Sequence, residues 1–370
     1  MKNLKAFYYE LEGRNYEVGK LLGEKMKAMP QFVEMQKMQK SPFSKEEEIQ
    51  IIRMFDEYCP GINEEIQGFT DVLGLDKFQE LYYTMSFLKP GCSQMAVLPQ
   101  KTRNNHVLLA RNYEFNDEME ELTLCTTKIK GKYAHIGTSM VQFGRGDGMN
   151  ECGLGVSQTS TGIPVANNIE GAKKPAIVGL QFWAVIRSVL ENCKDVDEAI
   201  KYVQSVPIAY NINFMVADKM GNAALIESLD GKKAIKHISA NTKEQFICST
   251  NHIHFEELKK YEPKSMRNSV VRYNLINKYL NNKEIVTQDN LKSLLSTMYP
   301  EGLCCHYYED FFGTLRGMVF DLNDGTVDVC FGSTALNDWH TFKIDNGKKY
   351  LEYPAKIIKD RAPKDFYELI

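Results

Sequence analysis

No stretch of this sequence is apolar enough to serve as a secretory signal core or to cross a membrane. The first twenty residues, MKNLKAFYYELEGRNYEVGK, mix charges with aromatics, whereas a signal needs a continuous apolar centre and a span needs about 20 apolar residues. A basic block is also missing. Net charge is −3 over 370 residues, and nucleic-acid binders carry clustered Lys and Arg. The chain is therefore expected to be soluble and cytoplasmic, with neither nucleic acid nor a membrane as partner.

Cysteine spacing excludes a second set of classes. Nine cysteines form no CxxC pair, and Cys304 and Cys305 are adjacent. That pattern suits neither a regular disulfide framework nor a zinc knuckle. In a reducing compartment most of the nine are expected as free thiols, so any special cysteine must be special by position. Repeats and low-complexity linkers are absent too. What is present is ordinary globular composition, 43% hydrophobic and 25% charged, enough for a sizeable core in one large domain or two.

The pattern of elements divides at residue 91. Before it the chain reads as mostly helical: Gly19 to Met29 carries a loose helical pattern, and Ser44 with Glu47 is a capping box ahead of IQIIRMFDEY. Pro60-Gly61 breaks the chain before INEEIQGFTDVLGL, and FQELYYTMSFL keeps the apolar character up to Lys89-Pro90-Gly91. After Cys92 the period changes to that of strands, in QMAVLP, NHVLLARNYEF, LTLCTTKIK, YAHIGTSMVQF and LGVSQTST. A nearly all-apolar helix is expected over 176–192 and a more amphipathic one over DVDEAIKYVQSV. INFMVADKMGNAALIESL reads as a hairpin, SVVRYNLINKYLNN and TQDNLKSLLSTM as helices, the latter capped by Thr287. RGMVFDLNDGTVDVCFG is a second hairpin, turning at Asn323-Asp324-Gly325. Strands, two buried helices, then strands again fit two antiparallel sheets face to face with helices on both outer faces.

An ordered set of motifs surrounds KPGCSQMAV at 89–97. GRNYEVGKLLGE lies near the start, GCS at 91–93, ARNYEF at 110–115, MNECGLGVSQTS at 149–160, STNH at 249–252, SVVRYN at 269–274 and GTVDVCFG at 325–332. In this order they resemble the N-terminal nucleophile (Ntn) hydrolases of the penicillin acyltransferase and choloylglycine hydrolase superfamily. The nearer match is the acyl-coenzyme A:isopenicillin N (6-aminopenicillanic acid) acyltransferase branch, which is related to penicillin V acylase. The resemblance implies an α+β fold, a four-layer αββα sandwich. It implies a helical pro-segment over 1–91 and an Ntn-hydrolase domain over 92–370. The chain would be a precursor that cuts itself between Gly91 and Cys92, the two pieces remaining associated.

The chemistry implied is that of a thiol nucleophile. Cys92 would attack the Gly91 carbonyl, and glycine leaves that carbonyl approachable because it has no Cβ. The α-amino group released, with a reference pKa of about 7.7–8.0, would then serve as base for its own thiol. The resemblance assigns Arg111 and Glu114 to steadying the thiolate, the acid and the new amine, and a nearby guanidinium favours thiolate. Glu114 stands where the family usually has aspartate. Asn251 matches the family's oxyanion asparagine, and Arg272 the arginine that reaches the site from a helix, with Arg267 a rival. Ser160, with Thr159 beside it, falls where the bile-salt branch has its second oxyanion asparagine. Read without the resemblance, the same residues could be a surface ion pair, a turn asparagine and exposed helix charges.

The expected reaction is hydrolysis or transfer of the acyl group of a linear, non-peptide amide through a Cys92 thioester. Its partner is a small-molecule amide. No cofactor is implied, acyl-coenzyme A entering only as an acyl donor, and a homo-oligomer stays open. Two other readings compete: a thiol hydrolase using His252 or His254 as base without chain cleavage, and a non-catalytic binding protein on the same fold. His252-Ile-His254 could be half a metal site, but no third ligand has suitable spacing, so no metal is expected. GRGDG at 144–148 lacks the lysine and the following helix of a phosphate loop.

Overall fold

The computed structural model describes residues 1–27, 33–34, 44–76, 91–163, 165 and 172–370. The expected helical stretch FQELYYTMSFL lies wholly outside these residues.

Two sheets form the middle of the molecule. The first has nine strands in the order β10-β9-β8-β7-β6-β5-β4-β1-β16. Its strands are β1 (Lys2–Gly13), β4 (Thr123–Ile129), β5 (His135–Met140), β6 (Gly144–Asn150), β7 (Leu154–Ser160), β8 (Ile212–Asp218), β9 (Asn222–Leu229), β10 (Lys232–Ser239) and β16 (Tyr350–Ile357). The second has seven, in the order β11-β2-β3-β13-β14-β15 with β12 paired to β13. These are β2 (Gly91–Val97), β3 (Leu108–Phe115), β11 (Phe246–Ser249), β12 (His306–Tyr307), β13 (Phe312–Asp321), β14 (Thr326–Phe331) and β15 (Trp339–Lys343).

Helices cover both outer faces. On the first sheet lie α1 (Asn15–Met26), α2 (Lys45–Tyr58), α3 (Ile62–Leu73), α4 (Phe182–Asn192) and α5 (Val196–Ser205). On the second lie α6 (Arg267–Asn281) and α7 (Gln288–Ser296). The expected αββα layering is therefore present. Among the described residues no helix is long and apolar enough to cross a membrane.

Local signals explain several boundaries. The Ser44–Glu47 capping box opens α2, and Thr287 with Asn290 opens α7, each satisfying backbone donors that the first turn leaves free. Ile186, Val189 and their neighbours bury α4 on nearly every side. Where α1 meets α3 the backbones almost touch. A Cβ on Gly19 would sit 1.9 Å from the Glu65 carbonyl oxygen, and one on Gly68 would sit 2.1 Å from that of Tyr16.

One expectation is corrected. The first ninety residues do not begin with helix: Lys2–Gly13 is a strand, parallel to β4 and antiparallel to β16. The sheets are thus not purely antiparallel, and the segment before residue 91 completes the larger one. The physical reason is two-sided burial. Tyr8 stacks on Phe342 of the opposite sheet at 5.4 Å, while Tyr9 turns outward beneath Lys25 of α1. Apolar residues on both faces erase the alternation that marks a half-buried strand.

Candidate active site

Cys92 is the second residue of β2, fully buried, with its side chain facing the space between the sheets. The face follows from the alternation along the strand. Gln94 on the same side bonds to Asn213 and Ser157 of the opposite sheet, whereas Met95 and Val97 pack against α6 and α7.

Every polar atom of Cys92 has a partner. Arg111 Nη2 donates to Sγ at 2.8 Å. The backbone N–H donates to Asn251 Oδ1 at 3.1 Å, and the carbonyl accepts from Arg272 Nη1 at 2.7 Å. Burial pushes the thiol up to about 11, with the Arg111 charge the strongest opposing influence.

The structure thus brings Cys92, Arg111, Asn251 and Arg272 together. Arg272 Nη2 also donates to Asn251 Oδ1 at 2.8 Å and to Asn268 Oδ1 at 2.7 Å. Arg267 is no rival: it sits at the surface and pairs with Glu368. Asn251 reaches Cys92 through its carbonyl, while its Nδ2 donates to the Ser160 carbonyl at 2.8 Å and to the Ser160 hydroxyl at 3.3 Å. Ser160 therefore supports Asn251. Thr159 faces the other way and donates to the Thr250 carbonyl at 2.8 Å, bracing the turn that carries Asn251.

Glu114 is fully buried, opposite Gly91 on one side and Thr314 on the other. Its Oε1 accepts from the Thr314 hydroxyl at 3.1 Å, and Oε2 has no partner among the described residues. Burial raises its carboxyl to about 8 against the opposing charge of Arg272. The carboxylate that binds Arg111 is a different one, Asp147, at 2.7 Å with both side chains fully buried. Asp147 is held in turn by Thr138, whose hydroxyl donates to Oδ1 at 2.7 Å.

Asp147 is the residue that sequence reasoning missed. It sits in GRGDG, which is strand β6 and not a loop. The one available signal was that Arg145 and Asp147 share a face at strand spacing.

Gly91 has a steric reason for its identity. A Cβ there would lie 2.3 Å from the Phe312 ring. The two histidines are engaged elsewhere, His252 with Ser269 at 2.8 Å and His254 with Glu227 at 2.8 Å. Burial lowers them to about 2 and about 3. Among the described residues neither bonds to Cys92 or joins a metal-type cluster.

A family model described as acyl-coenzyme A:6-aminopenicillanic acid acyl-transferase matches residues 101–336, more than half of the chain. The match takes in Arg111, Glu114, Asp147, Asn251 and Arg272 and begins after Cys92. Solved structures similar to the chain include penicillin V acylase from Agrobacterium tumefaciens, 20% identical, covering 68% of this chain and 86% of that one, with a TM-score of 0.44. An N-acylethanolamine-hydrolyzing acid amidase ortholog from Caenorhabditis elegans is 13% identical over 63% and 93%, also with a TM-score of 0.44. A mutant of conjugated bile acid hydrolase from Clostridium perfringens is 15% identical over 68% and 96%, with a TM-score of 0.41. No curated protein sequence matches the chain.

Proposed function

The chain belongs to the acyl-coenzyme A:6-aminopenicillanic acid acyltransferase family, and from that premise we propose that it is a self-processing cysteine enzyme acting on linear amides through a Cys92 thioester. The observation that carries the reading is the setting of Cys92. Its sulfur, nitrogen and carbonyl are each held by a different buried side chain, directly after a glycine whose Cβ would collide with Phe312.

In the precursor the Cys92 sulfur attacks the Gly91 carbonyl carbon. The Gly91–Cys92 C–N bond breaks, the nitrogen takes a proton, and the acyl group passes to sulfur as a thioester. Water then cleaves the thioester, releasing the Gly91 carboxylate and the free thiol. In the mature enzyme the α-amine, near pKa 8 by reference, accepts the thiol proton as sulfur attacks the substrate carbonyl. It returns that proton to the leaving amine. Arg111 stabilises the sulfur anion, and Asp147 keeps Arg111 aimed. Asn251 Oδ1 keeps the Cys92 nitrogen in place.

Water as acceptor gives an amidohydrolase; an amine acceptor, with an amide or acyl-coenzyme A as donor, gives an acyltransferase. All nine cysteines are free thiols, which supports work in a reducing, cytoplasmic setting. The test is to incubate the protein with chromogenic N-acyl amides and weigh the chain that begins at Cys92. A mass increase equal to the acyl group, absent in Cys92→Ser, supports the reading. Turnover with no acyl group ever on Cys92 contradicts it.

A further inference from the structure

Asn251 meets Cys92 from outside any strand. It lies on the irregular stretch 250–255 that follows β11. Such a stretch keeps a side chain in place only if its own backbone is held. Three residues of the first sheet hold it. The ladders set Thr159 of β7 opposite Asn213 of β8, and Asn213 opposite Glu227 of β9. Opposed residues on antiparallel strands share a face. All three are fully buried, and all three reach the same stretch.

Thr159 and Asn213 take the near end. The Thr159 hydroxyl donates to the Thr250 carbonyl at 2.8 Å, and Asn213 Nδ2 donates to the carbonyls of Thr250 and His252, each at 3.1 Å. Glu227 takes the far end. Its Oε1 accepts from the His254 backbone N–H at 2.7 Å and from His254 Nδ1 at 2.8 Å, and its Oε2 accepts from the Phe255 N–H at 3.1 Å. His254 then closes the stretch on itself, because its Nε2 accepts from the Thr250 N–H at 3.4 Å. The two ring bonds together require the proton on Nδ1. Ile253 shares a buried apolar cluster with Leu229, two residues along β9 from Glu227. Glu227 is the one charged member of the row. Among the described residues no lysine or arginine lies within ion-pair distance of it. Its carboxylate is met instead by the donors of His254 and Phe255, and such charge-assisted bonds are stronger than neutral ones.

We propose that Glu227, acting through His254 and Phe255, is the positioning residue that sets Asn251 against the Cys92 nitrogen. It controls the rate of self-cleavage and of acyl transfer without touching the substrate. This rests on Cys92 being the nucleophile. The Cys92 nitrogen is the leaving group in the first reaction and the base in the second, so a shift of Asn251 by about 1 Å can cost up to about a hundredfold in each.

The test is a double-mutant cycle on the full chain: wild type, Glu227→Gln, Asn251→Ala and the double variant. Self-cleavage is followed by intact mass over time, and turnover by nitrophenolate release from p-nitrophenyl octanoate. Assays run near pH 8, above the value of about 7 to which burial raises the Glu227 carboxyl. Glutamine keeps the shape, but its NH2 group cannot accept from Phe255. Glu227→Gln is expected to slow self-cleavage and kcat by about tenfold to a hundredfold, with KM changed by less than about twofold. In the Asn251→Ala background the same substitution should cost less than about twofold, because the residue it positions is gone. Glu227→Asp keeps the charge and is expected to lose less than the glutamine variant. It passes through the same cycle, so the coupling is still read if Glu227→Gln folds poorly. Equal losses with and without Asn251, a KM that rises while kcat holds, or unaltered rates in both Glu227 variants overturn the proposal. Failure of the nucleophile reading shows separately, in the wild type, as an absence of acyl-Cys92.

Discussion

Asp147 is what keeps Arg111 on the sulfur. The carboxylate takes one side of the guanidinium and leaves Nη2 for Cys92. Asp147→Asn keeps the shape and removes the charge, so Arg111 is held less firmly and the thiol is harder to ionise. We expect alkylation of Cys92 by iodoacetamide at neutral pH to slow about tenfold, one pKa unit of differential interaction, with the pH profile moved upward. An unchanged profile would make Asp147 merely structural.

Glu114 predicts a pH dependence of stability. Its carboxyl is raised to about 8 in the folded chain from an ordinary 4.5. The folded state thus keeps a proton that the unfolded state releases. The contribution is fully present below about pH 4.5 and is lost as pH rises toward about 8, on the order of a few kcal/mol. Glu114→Gln should flatten this loss. Denaturant unfolding of both proteins at pH 5 and pH 8 measures it, and an identical slope in the two refutes it.

At the scale of elements, the entry of β2 is shaped by one contact. Gly91 faces the Phe312 ring at a distance that no Cβ can share. Gly91→Ala should destabilise by about 1–3 kcal/mol, as overpacking does, and should slow chain cleavage. Adding Phe312→Ala should restore part of both, a coupling read from the four proteins of a double-mutant cycle. Simple additivity would show that the ring does not set the identity of residue 91.

Elements were legible where a local signal was strong. The caps at Ser44 and Thr287 and the turn at Asn323-Asp324-Gly325 each carry side chains or glycine that the geometry requires. Strand β1 was not legible, because burial on both faces removes its alternation. In the site, Arg111 and Arg272 were found through their motifs. Asp147 was not, since sheet pairing alone brings it to Arg111 and GRGDG was weighed only as a phosphate loop. Which end of the Asn251 amide meets Cys92 was equally hidden, because only the fold shows it.

For the whole molecule, the segment before Cys92 is built into the rest. Strand β1 lies between β4 and β16, and Glu65 of α3 pairs with Arg187 of α4 at 2.9 Å with both side chains fully buried. Removing one partner of such a pair costs about 3–5 kcal/mol. Cleaved protein should therefore run as a single particle in native size-exclusion chromatography and separate only in denaturant. Glu65→Ala should make the two chains part at lower urea. Chains that separate without denaturant would contradict this arrangement.

The most direct measurement is the intact mass of purified, active protein beside Cys92→Ala. The account predicts two chains from the wild type, residues 1–91 and 92–370, and one full-length chain from the variant. Active wild-type protein with an unbroken backbone between Gly91 and Cys92 would contradict it.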